Sequence, residues 1–479
     1  MTDAIGNGDE GLPPAVVGRH RVTVFKRYLW LHYHIFSGVT LWFGRRITSI
    51  GWFVLISGFA LGVIGIDIRV NVAYQGVMFL AFVIVGTPVL TRFSRSKFAV
   101  ERRVPRFGSV GNELAYSVVV KNLKDSFQRG VSVLEDLPDP RPSIEEFSTT
   151  PEPDEHKRNW WDRRYLFYRW KWLIEQRLRA APIESECPDL EPNGSVEVKM
   201  KLMPLRRGPM VLERISIGCP DPIGLFRSLV KVDCHRKLLI LPRRYPVGPL
   251  PLPGGQKYQQ GGVALASQVG ESEEFVSLRD YRSGDPLKKI HWPSWARTGR
   301  PIVKEFVDEF FVRHGLVLDT FTENPFSETF EEAVSVAASF ACTIEEQDSL
   351  LDLLVVGPQA FSYTVGRGVG SLDKMMEVLA GVQACRDKPF SSLENLVVSH
   401  GSELSGCVCV LLDWNDERQR FVRCLQQMLV PVKVVLIIPA GDEVKREPGV
   451  MNGREEDFHV IAADEVEEGL RTLSQTRAR

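Results

Sequence analysis

The sequence predicts a multidomain protein: an N-terminal transmembrane helical hairpin, a β-sandwich-like module and a C-terminal doubly wound α/β domain. Three observations predict it. Two uncharged apolar spans lie close together near the N-terminus, short strands of alternating hydrophobicity begin at Phe98, and strands alternate with helices from about Arg313. A chain of 479 residues has room for two or three domains beside the hairpin. Its formal net charge of −1 gives no overall basic field, so no nucleic-acid partner is expected.

Residues 1–46 are expected to form a cytosolic or interfacial tail. Residues 1–18 are typical of a disordered tail. The segment from Arg19 to Gly38 mixes Arg and Lys with aromatic residues such as Tyr28 and Trp30. That composition is typical of the lipid headgroup zone, where aromatic rings lie at the interface and cations lie near anionic lipid.

The hairpin is predicted over residues 47–91. Its spans run from Ile47 to Ile66 and from Val72 to Leu90, each about the length that a helix needs to cross a bilayer core. Only five residues separate them, so both outer ends emerge on one side of the membrane. Positive charge flanks those ends at Arg45, Arg46, Arg92, Arg95 and Lys97. The expected location is a bacterial inner (plasma) membrane, crossed twice, with both termini cytoplasmic.

Gly58 and Gly62 form a G-x-x-x-G step in the first span, which permits close approach of a second helix. Packing against the second span of the same hairpin is a sufficient explanation. Homodimerisation through these glycines is the alternative, and it would make the protein a homo-oligomer.

A β-rich, sandwich-like module is predicted over residues 98–250. Residues Ser195 to Pro204 alternate apolar and charged side chains with a period of two, and four other short strand patterns surround them. An insert at residues 154–181, rich in Arg and aromatic residues, is predicted as one helix. Its aromatic stripe comprises Trp161, Tyr165, Tyr168 and Trp172. Three interpretations remain open: a helix covering the sandwich, an interfacial helix on the cytoplasmic leaflet, and a segment binding single-stranded nucleic acid.

The α/β domain is predicted over residues 307–479. Near-continuous Val, Ile and Leu strands alternate there with amphipathic helices, as a parallel sheet buried on both faces requires. Asp319 and Asp413 each end a strand, and ligands of doubly wound folds gather at the carboxyl ends of strands. Cys407 and Cys409 lack a second cysteine pair that would complete a zinc site, so reduced buried thiols are expected.

This layout resembles a von Willebrand factor A-like domain, a family that often binds Mg²⁺ through a D-x-S-x-S sequence after its first strand. Asp319 fits the first position and Asp413 fits a later aspartate of that family. Phe321 and Glu323 replace the two serines. The resemblance therefore implies only a degenerate candidate metal site of Asp319, Glu323 and Asp413. No cofactor is expected, although Mg²⁺ could still be coordinated by Glu323 in another geometry.

The signature region, residues 251–306, is the most specific stretch of the chain. Acidic and basic residues alternate along it beside Trp292 and Trp295. One interpretation is a latch in which Arg guanidinium groups hold carboxylates in fixed register. The others are a partner-docking surface and a catalytic cleft, in which a carboxylate and His291 would act as general base. The candidate residues are Glu271, Glu274, Arg279, Asp280, Tyr281, Gly284, Asp285, His291, Trp292 and Arg297.

These residues resemble the "domain of unknown function 58" family. The matching features are Gly270-Glu271 with Glu274, Leu278 to Tyr281, Gly284 to Pro286, Ile290 to Trp292, Ala296 to Gly299, Arg207-Gly208, and Asp221-Pro222 with Gly224 to Phe226. The resemblance covers nearly all of the chain after the hairpin; the insert is the main departure. It implies association with MoxR-type AAA+ ATPases, sometimes beside transglutaminase-like membrane proteins. It supplies no reaction.

The leading hypothesis is a non-enzymatic, membrane-anchored scaffold or adaptor that recruits a MoxR-type AAA+ ATPase to the cytoplasmic face. An enzyme is the second hypothesis, a hydrolase using Glu271, Asp280 or His291. The third is a structural envelope protein that self-associates through Gly58 and Gly62.

Overall fold

The computed structural model describes residues 23–64, 75–82, 86, 96–153, 155–248, 259–260, 275–283, 285, 287–306, 310–311, 313–324, 327–345, 350–357, 359–366, 371–442 and 446–475. Contacts between residues divide the chain into two compact units. The first comprises residues 1–106, 112–206 and 210–238, and the second comprises residues 107–111, 207–209 and 239–479. Residues 239–248, predicted as part of the β-module, group with the second unit because Tyr245 is buried in its core.

Three helices begin the first unit: α1 (Val24–Arg46), α2 (Ser49–Ile64) and α3 (residues 75–82). Residues 24–46, expected as part of a cytosolic or interfacial tail, form the continuous helix α1, which packs its Leu29 against the insert. The predicted second span is described only at residues 75–82 and 86. Within the described ranges, no helix has both the length and the apolar character that crossing a membrane demands.

The two glycines of the first predicted span differ in their surroundings. A Cβ at Gly58 would lie 3.5 Å from Leu80, and a Cβ at Gly76 would lie 3.6 Å from Leu61, so α2 and α3 approach closely at these positions. A Cβ at Gly62 would meet nothing within 4 Å. The close approach of α2 and α3 within the chain accounts for Gly58. Gly62 has no such contact among the described residues.

Two sheets form the rest of the first unit. One is antiparallel in the order β1–β3–β7–β5, and the other has the order β9–β8–β4–β6. Their strands are β1 (Phe98–Arg103), β3 (Leu114–Asn122), β4 (Ser132–Asp136), β5 (Ala180–Ile183), β6 (Ser185–Glu186), β7 (Ser195–Pro204), β8 (Gly208–Pro220) and β9 (Arg227–Leu241). The short β2 (Phe107–Ser109) runs parallel to the last three residues of β9, a pairing within the second unit.

A buried ion pair lies between the two sheets. Arg102 of β1 and Glu135 of β4 are almost wholly buried, with 2.6 Å between the guanidinium Nη2 and the carboxylate. Tyr116 of β3 donates its hydroxyl to the same carboxylate at 2.7 Å, and Arg102 also donates to the carbonyl of Leu212. Both side chains are removed from water, and each charge is compensated by the other.

The insert is not the single helix that the sequence predicts. Helices α5 (Trp160–Tyr165) and α6 (Phe167–Arg177) are separated at Leu166, whose φ of +54° lies in the left-handed region; α4 (Ile144–Thr149) precedes them. Leu166 is buried against Leu29, Phe147 and Trp170, so tertiary packing offsets the local strain of this conformation. The predicted stripe is therefore interrupted.

A six-stranded sheet forms the centre of the second unit, in the order β16–β15–β14–β17–β18–β19. All neighbours are parallel except β15 and β16. The strands are β14 (Arg313–Leu318), β15 (Leu350–Val356), β16 (Ala360–Val365), β17 (Gly406–Leu411), β18 (Val432–Ile438) and β19 (Phe458–Ala462). Since β14 lies between β15 and β17, the strand order reverses there, as at the switch point of a doubly wound sheet.

Helices cover both faces of this sheet. They are α8 (Glu328–Glu345), α9 (Leu372–Gly381), α10 (Ser391–His400), α11 (Asp416–Gln427) and α12 (Val466–Gln475). One core cluster contains side chains of α8, α9 and α12, and the other contains side chains of α10 and α11. Strand β17 is buried along its whole length, as the sequence predicts for a strand covered on both faces.

The signature region contributes a hairpin of β11 (Phe275–Asp280) and β12 (Ile302–Phe306), with α7 (Trp292–Thr298) in the connection. The two-residue strands β10 (Gln259–Gln260) and β13 (Phe310–Phe311) pair separately. Residues 275–306 are called the signature hairpin below.

Candidate functional site

The signature hairpin is held mainly by backbone pairing. Leu278 lies opposite Lys304 in the antiparallel register, and beyond the strands Tyr281 N–H donates to the Pro301 carbonyl at 2.9 Å. Ile290 forms a bridge to Val303, and both side chains are buried. Among the side chains of this hairpin whose burial the structure describes, Ile290 and Val303 are the buried apolar ones, so hydrogen bonds and ion pairs contribute to its shape.

Two of the candidate residues, Arg279 and Asp285, form an ion pair. Arg279 donates through both terminal nitrogens to Asp285, at 2.7 and 2.8 Å, and Arg282 N–H donates to the same carboxylate at 2.8 Å. These bonds, above all those from the Arg279 guanidinium, lower the pKa of Asp285 to about 2. Glu271, Glu274 and Gly284 lie outside the described residues, and Asp280 is exposed. The arrangement fixes the turn that follows β11.

The predicted general base is engaged locally. His291 is the N-cap residue of α7, its N–H donates to the Ile302 carbonyl at 2.8 Å, and its ring Nδ1 lies 2.6 Å from Ser294 Oγ. Asp280 is paired with Ile302 in the strand register. The described residues contain no group of three His, Cys, Asp or Glu side chains placed to hold a metal ion. His291 therefore has an evident structural role at the start of α7.

The hairpin exposes apolar and cationic side chains. Trp292 is 61% exposed and stacks on Trp295, with 5.2 Å between ring centroids and 20° between ring planes. Leu278 and Leu287 are also exposed. Residues 275–306 contain seven Lys and Arg residues against three Asp and Glu residues, in a chain whose net charge is −1. Exposed Trp beside Arg is the composition of binding hot spots.

Acid is expected to break the Arg279–Asp285 pair only far below neutral pH. The folded-state pKa of Asp285 is about 2 and its ordinary value is 3.8, so the pair stabilises the hairpin fully above about pH 4. This contribution is lost as the pH falls through about 2. A ¹³C NMR titration of the Asp285 carboxyl, assigned with Asp285→Asn, should give that midpoint. In Arg279→Gln the midpoint should rise toward 3.8; an unchanged midpoint would contradict the role of Arg279.

The carboxyl edge of the sheet holds a second cluster. Asp319, directly after β14, is 0% exposed, and Arg418 of α11 places its Nε 3.1 Å from the Oδ2 of Asp319. Phe321 N–H and Leu412 N–H donate to the same carboxylate at 2.9 and 3.3 Å. Burial raises the pKa of Asp319, while Arg418 and these backbone groups act in the opposite direction.

The degenerate metal site does not assemble. Glu323 and Asp413 are exposed, whereas Asp319 is buried under Arg418, and within the described part of the chain these carboxylates form no group placed to hold a metal ion. The Arg418 guanidinium lies over the Phe390 ring at 4.6 Å, and Phe390 contacts both Phe321 and Phe421. The residues present do not fit a divalent cation: an internal guanidinium supplies the positive charge beside Asp319, and aromatic rings pack around it.

Sequence reasoning missed Arg418, although a signal was present. Arg418, Phe421, Val422 and Leu425 follow the i, i+3, i+4, i+7 spacing of one helix face, and all four are buried. A lone arginine on an otherwise apolar helix face indicates a buried anionic partner, because an unpaired charge is too costly to bury.

Two upstream motifs have structural roles. Arg207, grouped with the second unit, is buried over the Phe330 ring and donates to the Glu331 carboxylate and to the Leu379 and Val382 carbonyls. Asp221, in the first unit, accepts hydrogen bonds from four backbone N–H groups, those of Ile223, Gly224, Leu225 and Phe226.

The loop that Asp221 organises contacts the start of α2. Thr48 N–H donates to the Leu225 carbonyl at 3.1 Å, and its hydroxyl donates to the Gly224 carbonyl at 2.6 Å. A Cβ at Gly51 would lie 2.3 Å from the Leu225 carbonyl oxygen, so only glycine permits this approach. The loop therefore fixes the junction of α1 and α2 to the β-rich part of the first unit.

These features define a class of protein with a β-rich unit tied to apolar helices and an α/β unit bearing an exposed Trp-containing hairpin. Residues 277–406 match the family described as "Protein of unknown function DUF58". This match covers most of the signature hairpin and the sheet up to the start of β17. It confirms the predicted family resemblance over those residues.

One curated relative and two solved structures add little to this. The "Uncharacterized protein YeaD" of Bacillus subtilis (strain 168) is 23% identical over 192 residues, which are 39% of this chain and 46% of that protein. The chain thus spans about half the length of the relative it matches. A CARDB domain of the PF1109 protein from Pyrococcus furiosus (13% identity, covering 30% of this chain and 89% of that one) has a TM-score of 0.16. A GH20 exo-β-N-acetylglucosaminidase from Vibrio harveyi (8% identity, 75% and 60%) has the same score. Neither likeness supports an argument about fold or function.

Proposed function

We propose that this protein is a membrane-anchored adaptor without catalysis of its own, whose second unit recruits a protein partner, an AAA+ ATPase of the MoxR type. The observation that carries the proposal is the signature hairpin, which exposes Trp292 on a frame fixed by the Arg279–Asp285 pair. An exposed aromatic anchor on a rigid frame lowers the entropic cost of binding. The family resemblance, and nothing else, suggests the identity of the partner.

The arrangement at the carboxyl edge of the sheet supports an adaptor rather than a small-molecule site. In doubly wound folds ligands bind at the switch point of the strand order. Here Arg418 and three phenylalanine rings pack at that point around Asp319. The strand order itself supports a von Willebrand A-like assignment for the second unit.

The membrane anchor is supported by the surfaces of the N-terminal helices. On α2 and α3 the exposed side chains include Trp52, Phe53, Ile56, Phe59, Val63, Met78, Phe79 and Phe82. So many large apolar groups on neighbouring helices are costly to leave in water and suit a lipid environment. These exposed apolar side chains, together with the positive charge at Arg45 and Arg46, support insertion into a bacterial plasma membrane with both termini cytoplasmic.

Co-purification from detergent extracts of the native host should recover an AAA+ ATPase with the full-length protein. Trp292→Ala is expected to lower that recovery at least about tenfold, because a Trp hot spot contributes about 2 kcal/mol or more to binding. The measurement is quantitative mass spectrometry of tagged protein purified with ATP, with ADP and without nucleotide.

Trp160→Ala is the matched control, since Trp160 is 63% exposed and lies in the first unit. It should leave the recovery unchanged. Equal losses in both variants would indicate a general surface effect. Absence of any AAA+ ATPase under all three nucleotide conditions would refute the proposed partner.

A further inference from the structure

The two ends of the insert's aromatic stripe face different surroundings. Trp172 packs against the cluster around Phe147, while the outer part of the insert is exposed. Five aromatic side chains within nine residues are exposed: Trp160, Trp161, Tyr165, Phe167 and Tyr168. A helix whose only role was to cover a core would bury these rings instead. This group is called the aromatic patch below.

The aromatic patch lies in a strongly basic segment. Residues 155–171 contain six Lys and Arg residues against two Asp and Glu residues. The flanking carboxylates are engaged, since Glu152 pairs with Arg158 and Glu155 pairs with Arg169. Arg163 and Arg164, between the aromatic residues, are exposed. The patch therefore presents both aromatic rings and net positive charge.

The patch is fixed to the helix that leads into α2. Tyr33 of α1 donates its hydroxyl to the Tyr165 carbonyl at 2.8 Å, and Arg164 lies over the Phe25 ring at 3.8 Å. Leu29 is buried in the same cluster as Leu166 and Trp170. Only two residues, Ile47 and Thr48, separate the end of α1 from the start of α2. The distance between the aromatic patch and the proposed membrane anchor is therefore set by the packed helix α1 rather than by a flexible linker.

The second half of α1 has an apolar face of its own. Ile35, Phe36, Val39, Trp42 and Phe43 follow helical spacing, and all are exposed. Four of them, with His34, Gly38 and Arg141, line an open groove of about 310 Å³. Arg45 and Arg46 follow at the end of the helix. Beyond these arginines the exposed apolar side chains of α2 follow from Ile50 onward.

We propose that the aromatic patch and the exposed face of α1 form a second membrane contact that binds the headgroup region of an anionic bilayer leaflet. Trp and Tyr prefer the bilayer interface, and Arg adds electrostatic attraction to anionic headgroups near the surface. Single-stranded nucleic acid would use the rings and cations but not the apolar face of α1. The inference rests on the membrane-anchor part of the proposed function.

Hydrogen exchange of the full chain in nanodiscs tests this contact. Peptides covering residues 158–172 and 35–46 should exchange at least about fivefold more slowly in discs with 30% phosphatidylglycerol than in pure phosphatidylcholine discs or detergent. Trp160→Ala combined with Trp161→Ala should abolish most of that difference at residues 158–172. Trp292→Ala, in the second unit, should leave it intact.

Two failures are distinguishable. If alkaline carbonate strips the protein from the discs, both the anchor and this contact are refuted. If the protein stays inserted but its exchange at residues 158–172 is independent of lipid charge, only this contact is refuted. Protection of the same peptides by poly(U) in detergent, without lipid, would assign the patch to nucleic acid and overturn the lipid assignment.

Discussion

Replacing Arg418 by methionine is expected to destabilise the second unit by about 3–5 kcal/mol. The substitution keeps most of the side-chain volume but leaves the fully buried Asp319 carboxylate without its cation. Breaking a buried ion pair from one side costs this much because the remaining charge stays out of water. Pulse proteolysis of the full-length protein in detergent, read from fragments of the second unit, would measure the loss.

The double variant Asp319→Asn with Arg418→Met removes both charges and should recover most of the lost stability, because no buried charge remains unpaired. Arg420→Met is the matched control on the same helix, since Arg420 is exposed. It should change the free energy of unfolding by less than about 0.5 kcal/mol. A double variant as unstable as Arg418→Met would show that Arg418 acts through packing on Phe390 rather than through its charge.

At this edge of the sheet the sequence pattern predicts the position of Asp319 but not its partner. Asp319 could be placed at the end of a buried strand because its strand is a near-continuous apolar run, as parallel sheets require. Whether its partner is a metal ion or a guanidinium depends on a side chain 99 residues further along the chain. Sequence spacing within one strand and its loop carries no information about that contact.

The insert illustrates the converse case. Helical spacing of aromatic residues correctly indicated helix on both sides of Leu166, but a local pattern could not reveal the left-handed residue between them. That residue is held by packing against Leu29 of α1, a segment predicted only as a tail. The break at Leu166 could not be predicted from the insert alone, because α1 supplies part of the apolar surface against which Leu166 is buried.

For the signature hairpin the sequence predicted the kind of interaction but not which of the candidate residues form it. Alternating charge predicted an Arg–carboxylate latch, and the structure forms the pair Arg279–Asp285. The choice of Asp285 over Asp280 follows from the hairpin register. Asp280 is the last residue of β11, opposite Ile302, whereas Asp285 lies in the turn, where Arg282 N–H also donates to it.

Substituting Asp221 by alanine is expected to destabilise its loop by about 3 kcal/mol or more. The carboxylate is the acceptor for four consecutive N–H groups, and two of these, Leu225 and Phe226, are buried. Each buried donor left without an acceptor costs about 1–3 kcal/mol. Because Thr48 and Gly51 pack on the same loop, the loss should reach the base of α2.

Hydrogen exchange of the full-length protein should therefore show faster exchange in Asp221→Ala at residues 220–226 and 47–55 together. Asp221→Asn keeps an oxygen for the three N–H groups bound by Oδ1 and should fall between the wild type and alanine. Asp233→Ala, at an exposed site on β9, should change neither segment. If residues 220–226 loosened while residues 47–55 did not, the loop would not be what fixes the apolar helices to the β-rich part of this unit. The anchor would then need another point of attachment, and Arg45 with its bond to Asp136 at 2.9 Å would be the next to test.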